Sequence, residues 1–201
     1  MEYMHKGSLE EMLYFRNRSR ALSWRDCIRI ATEVCSGLGF LNATQPRPFV
    51  HCLLSPSKIL LDCNLVAKIT GFGLHECSEE CNDNSDMKAI GALLQNLLTG
   101  RRNWVTMDTE AFFDEIGEQW PLDVAREVVG LTMRCMSMNC ETDGEMSITR
   151  VMEELNEIRR KGDDMIAREG WRTINGGELD GQGSTHVPSV FVCPILENWF
   201  I

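Results

Sequence analysis

Two groups of residues in this sequence have the types and spacing to do chemistry. His51 stands beside Cys52, a base next to a thiol, and a thiol enzyme needs such a pair within hydrogen-bond reach. Adjacent side chains seldom point at each other, so the dipeptide reads as ordinary loop. His75, Cys77 and Cys81 supply three metal-binding side chains. A structural zinc site wants a second ligand pair at matching spacing, and none follows. Glu76, Glu79 and Glu80 give that stretch the look of a solvated acidic loop, and Asp108, Glu110, Asp114 and Glu115 that of a charged helix face.

The elements around these residues are mostly helical. Over residues 23–42, Ser23 is placed to cap, Asp26 sits at the capping-box position, and Trp24, Cys27, Ala31, Val34, Leu38 and Leu41 form one apolar stripe. Pro46 and Pro48 end that helix. Two short apolar runs, Ile59 to Leu61 and Leu65 to Ile69, flank Asp62, Cys63 and Asn64, which predicts a hairpin. A second helix fits Ser85 to Leu98, with Gly100 to stop it. A third starts at Pro121 and runs to about Met138, and a fourth covers Ser147 to Arg160. After Lys161 the chain turns glycine-rich, with six glycines in residues 162–186, as in a linker. Val187 to Ile201 is apolar again.

The composition narrows the class of function. In 201 residues there are 30 acidic and 20 basic side chains, a net charge of −10. Nucleic acid and anionic membrane need a basic surface, so the expected partners are proteins. Nine cysteines, an odd number without a regular framework, predict free thiols in a reducing compartment. The start carries no apolar signal region and no stretch is long enough to span a bilayer, so the expected location is cytoplasmic.

The segment from His51 to Asp62, HCLLSPSKILLD, followed by Lys68 to Leu74, KITGFGL, resembles the catalytic loop and metal-binding turn of protein kinases, H-R-D-L-K-P-x-N-I-L-L-D and K-I-x-D-F-G-L. Glu2-Tyr3-Met4 with Gly7-Ser8-Leu9 looks like the hinge of plant receptor-like kinases, and Ser85-Asp86 with Leu97 to Arg101 looks like the long central helix of the C-terminal lobe. The tail segment VPSVFVCPIL, Val187 to Leu196, resembles the first segment of a U-box, whose Cys-Pro-Ile loop helps bind a ubiquitin-conjugating enzyme. A kinase lobe, a linker and a U-box is the order seen in plant U-box protein kinases.

The resemblance implies a mainly α kinase-like C-terminal lobe over residues 1–161, with one small β-hairpin and no N-lobe, then a linker over 162–186 and the truncated start of a U-box over 187–201 as a flexible tail. It also implies lost chemistry. The catalytic carboxylate falls on Leu53, the phosphate-contacting lysine on Ser55, the asparagine that holds magnesium on Lys58, and the aspartate of the metal-binding turn on Gly71. Phosphoryl transfer depends on those groups for positioning and charge neutralisation. Only Leu74 to Asn84 stand where the family carries its longer substrate-binding segment. The ATP and magnesium sites are therefore degenerate, and no cofactor is expected.

The lobe's internal supports have counterparts. His51 and Phe72 match the stacked spine, Asp86 the helix carboxylate that anchors the catalytic loop, and Leu60, Leu93 and Leu97 the apolar stack beneath the adenine. The expected function is a catalytically inactive, pseudokinase-like fragment acting through protein contacts. The alternative is a U-box ubiquitin ligase whose kinase-like lobe recruits substrate; Cys193, Pro194 and Ile195 would touch the conjugating enzyme, provided a complete U-box exists. A residual serine/threonine kinase is the third.

Overall fold

In the computed structural model, residues 6–14, 22–44, 49–72, 83–102, 110–117, 119–137 and 146–175 are described, with side chains as far as Arg168. Helix α2, Trp24–Asn42, begins where Ser23 accepts the Asp26 backbone N–H and donates its hydroxyl to the Asp26 carboxylate at 2.6 Å. The predicted stripe faces the core: Trp24, Cys27, Ala31, Val34 and Leu38 are buried, and Leu41 packs against them.

The predicted hairpin is present as β2, Ile59–Leu61, and β3, Ala67–Ile69, antiparallel with Ile59 opposite Ile69. Its turn is longer than the apolar run suggested, because Leu65 adopts φ +62° and cannot continue a strand. Asp62 closes the turn, its Oδ1 accepting the backbone N–H of Asn64 and Val66. From α2, Glu33 accepts the Ala67 N–H and Arg29 donates to the Leu65 carbonyl, which seats the hairpin on the helix. A third strand that the sequence did not announce, β1 at Gly7–Ser8, pairs antiparallel with β2. Two residues carry no period, so only the pairing reveals it. Helix α1, Leu9–Tyr14, follows directly and buries Leu9 and Met12.

Helix α3, Asp83–Thr99, buries Ile90, Leu93, Leu94 and Leu97 against α2 and ends at Gly100, whose φ of +62° stops the helix. Helix α4 spans Glu110–Ile116. Helix α5, Leu122–Ser137, starts after Pro121, whose carbonyl accepts the Ala125 N–H, and packs along α3.

Helix α6 corrects the linker boundary. It runs Ile148–Asn175, well past Lys161. Gly162, read as linker, is buried, and a Cβ there would lie 2.7 Å from both Trp24 and Val124 side-chain atoms. Arg160 pairs with Asp164, and Arg25 with Asp163. Glycine content suggested a break; tertiary contact over the same residues makes a helix instead.

The chain divides into two units, Met1–Ala167 and Arg168–Ile201. Of the second unit, the described residues are the final turns of α6. The rest of the predicted linker and the segment from Val187, with Cys193, Pro194 and Ile195, lie outside the described residues. Among the described residues no helix is long and apolar enough to cross a membrane.

The His51 to Ser55 loop as the candidate functional site

The loop from His51 to Ser55 is fixed from below by one carboxylate. Asp86 is fully buried near the start of α3, and its two oxygens accept the backbone N–H groups of His51 and Cys52, each at 2.9 Å. A buried carboxylate is tolerated when charge-assisted hydrogen bonds satisfy it. These bonds hold a strained backbone: Cys52 has φ +67°, and the Leu53 N–H bonds back to the His51 carbonyl at 2.8 Å, closing a γ-turn.

His51 is 5% exposed, and its Nε2 lies 3.2 Å from the Thr70 carbonyl, tying the loop to the turn after β3. A carbonyl can only accept, so Nε2 donates in this bond, and Nδ1 is buried without a hydrogen-bond partner among the described residues. The ring acts as a strut between two loops. It holds no nucleophile, since the neighbouring Cys52 is disulfide-bonded. The expectation of free thiols holds at Cys27, Cys35, Cys63 and Cys135 and fails at Cys52.

The other sequence-predicted positions carry no carboxylate. Leu53 is 51% exposed at the tip of the loop. Ser55 precedes a 3-10 turn at Pro56–Lys58, and its hydroxyl is 2.9 Å from that of Ser57. Lys58 and Gly71 come together: Gly71 has φ +82°, and a Cβ built there would lie 3.0 Å from Lys58 Cδ and 3.3 Å from its Nζ. The lysine stem fills the space that a side chain at 71 would need.

This arrangement does not fit a magnesium ion. An ammonium repels a divalent cation, and Gly71 offers no side-chain oxygen to one. Of the described carboxylates, Asp86 is engaged with two N–H groups and Asp62 with its own turn. Among the described residues no group of three or more His, Cys, Asp or Glu side chains is arranged to hold a metal.

Two of the spine assignments separate. Leu93 and Leu97 are buried, while Leu60, opposite Lys68 in the hairpin, is half-buried. Phe72 is 50% exposed, which corrects its expected place in an internal stack. It meets Phe49 edge-on, with ring centroids 6.3 Å apart. That neighbour was not foreseen, because nothing in the spacing of residues 49 and 72 links them.

Residues 1–90 match the protein tyrosine and serine/threonine kinase family. Putative U-box domain-containing protein 50 of Arabidopsis thaliana is 43% identical over 98% of this chain and 27% of its own length. The chain is kinase-like over its first 90 residues and is similar along nearly its whole length to part of a plant U-box domain-containing protein. U-box domain-containing protein 33 of the same plant is 30% identical over the same shares. The chain thus spans about a quarter of the length of these relatives, 27% in each case. In three dimensions it resembles the pseudokinase called drought responsive inactive kinase 1, solved in a co-crystal with ENMD-2076. The TM-score is 0.62 at 20% identity, covering 79% of this chain and 61% of that one. The kinase-like fold, mainly helical with a small sheet, follows from these matches and from the elements described above.

Proposed function

We propose that this chain is a catalytically inactive pseudokinase lobe that acts through protein–protein contacts. One observation carries the reading: Asp86 still clamps the His51–Cys52 backbone, while the residues presented around it are Leu53, Ser55, Lys58 and Gly71. A scaffold maintained with its proton acceptor replaced by leucine is suited to binding, since a positioned base alone is worth about 10²- to 10⁴-fold in rate. The structural neighbour, itself named as an inactive kinase, supports the same reading. In this proposal neither ATP nor magnesium is a cofactor, the partners are proteins rather than nucleic acid or membrane, and the location is cytoplasmic.

The test is phosphate transfer from labelled ATP with magnesium, to the chain itself and to a generic acceptor protein. No incorporation above a protein-free blank is expected. Incorporation that is lost on Asp86→Asn, and so belongs to this chain rather than to a contaminant, would refute the proposal.

The relatives' names favour a second reading, in which a U-box ubiquitin ligase uses this lobe to recruit substrate. The Cys193-Pro194-Ile195 segment is then the contact for a ubiquitin-conjugating enzyme. Binding of a purified conjugating enzyme that is lost on Ile195→Ala would support it; equal binding by the variant would count against it.

A further inference from the structure

The outer face of the small sheet carries two cations without a partner among the described residues. Within the hairpin, Ile59 and Leu61 turn inward and are fully buried, so Leu60 and its cross-strand neighbour Lys68 face outward. Lys58 lies just beyond, its ammonium beside Gly71. Neither the Lys58 nor the Lys68 ammonium has a hydrogen-bond or ion-pair partner among the described residues. Three of the described carboxylates are committed elsewhere. Asp62 caps its turn, Asp86 holds the catalytic-loop backbone, and Glu33 bonds Arg29 and the Ala67 N–H.

Two exposed apolar side chains stand on the adjoining loops, Phe72 next in the chain to Gly71 and Leu53 five residues before Lys58. Leu53 is 51% and Phe72 is 50% exposed, and their loops are joined by the His51–Thr70 hydrogen bond. Large exposed apolar groups beside unpaired charge mark contact surfaces more often than scattered ones do. On a chain of net charge −10, a local pair of unpaired lysines is a departure from the surrounding field.

We propose that this face, Leu53, Lys58, Lys68 and Phe72, docks an acidic–apolar segment of a partner protein. A carboxylate of that segment meets Lys58 and Lys68, and its Leu-, Ile- or Phe-like side chains cover Leu53 and Phe72. The proposal rests on the protein-binding reading above and names its surface and the chemistry of its partner. Charge complementarity selects an acidic segment over a basic one, and the two apolar groups select a peptide over a bare anion.

The experiment uses the whole chain and an array of short synthetic peptides. One set centres Asp or Glu between Leu, Ile or Phe. A second replaces the acid by Lys, and a third replaces the apolar residues by Ser. Saturable binding of the first set alone is expected, weakening as salt is raised. Lys58→Glu should weaken it about tenfold, equivalent to about 1.4 kcal/mol, and bring up the lysine-centred set. Leu53→Ser with Phe72→Ser should also weaken it, while circular dichroism stays that of the parent because both groups are already exposed.

Absence of saturable binding by the first set overturns the proposal, as does binding that Lys58→Glu leaves unchanged. Inorganic tripolyphosphate is included as a competitor. Its tight binding, indifferent to Leu53→Ser and Phe72→Ser, would make this an oxyanion site and overturn the peptide assignment. A failed array beside a silent phosphate-transfer assay leaves the inactive-lobe reading standing and removes only this surface. Phosphate transfer by the chain would remove that reading whatever the array shows.

Discussion

Asp86 accepts the backbone N–H of His51 at 2.9 Å across 35 residues of sequence, joining helix α3 to the loop from His51 to Ser55. The second oxygen takes the Cys52 N–H at the same distance. Removing the carboxylate strands two inward-facing N–H groups, each worth about 1–3 kcal/mol when left unsatisfied. Asp86→Ala should therefore lower stability by about 2–6 kcal/mol, read as a fall in the urea midpoint with unchanged slope. Asp86→Asn, which keeps one acceptor oxygen, should cost less. Equal midpoints for parent and Asp86→Ala would show that the bond holds nothing in place.

The Lys58–Gly71 contact predicts a coupled pair. Gly71→Ala meets two obstacles, φ of +82° and a lysine stem 3.0 Å from the new Cβ. The backbone strain alone is about 1–2 kcal/mol. Lys58→Ala should relieve the contact and leave the strain, so the double variant should be more stable than the two single losses add up to. A double-mutant cycle in urea measures that difference. Strict additivity would mean that the lysine moves aside freely.

Gly162→Ala offers a test by sign. In a solvent-facing helix interior, alanine for glycine stabilises by about 1 kcal/mol. Here the new Cβ would meet Trp24 and Val124 atoms at 2.7 Å, and overpacking costs about 1–3 kcal/mol. The variant should be destabilised, with a lower thermal midpoint. A higher midpoint would show that α6 stands off α2 and α5.

The cap of α2 predicts a pH dependence. Burial pushes the Asp26 carboxyl up, but hydrogen bonds from Ser23 and Arg29 outweigh it and hold the group below its ordinary value. A depressed pKa in the folded state contributes stability above the unfolded pKa, and that contribution is lost as pH falls through the folded value. Stability should drop on acidification below the ordinary aspartate range, and Asp26→Asn should flatten part of that slope. Ser23→Ala should cost about 1 kcal/mol near neutral pH. An unchanged acid limb in Asp26→Asn would assign the slope to other carboxylates.

Thiol reactivity should sort by burial. Burial raises Cys27 and Cys35 to about 12 and Cys135 to about 11, so almost none of their thiolate exists at neutral pH. Cys63 is exposed. Alkylation of the native chain followed by peptide mass analysis should find Cys63 labelled well before these three. Early labelling of Cys27 would mean that α2 opens readily.

Much of this architecture was legible from local pattern. The stripe from Trp24 to Leu38 and the Ser23–Asp26 cap specified α2 because both act within a turn or two of the chain. Pro121 set the start of α5 and Gly100 the end of α3 for the same reason: their φ preferences are local. Strand β1 and the continuation of α6 were not legible, since each exists through residues far away, Leu60 and Leu61 for β1, and Arg25 and Trp24 for α6.

For the site the division is similar. The resemblance to protein kinases puts Leu53, Ser55, Lys58 and Gly71 at that family's polar positions, and the residue types are read directly from the sequence. A leucine offers no proton acceptor in any fold. Only the tertiary structure decided that Lys58 lies against Gly71, that Phe72 turns outward to Phe49, and that Asp86 is spent on two backbone N–H groups. Which side chain a residue carries is covalent and readable at once; whom it meets depends on packing between segments many residues apart, and short-range sequence does not encode that.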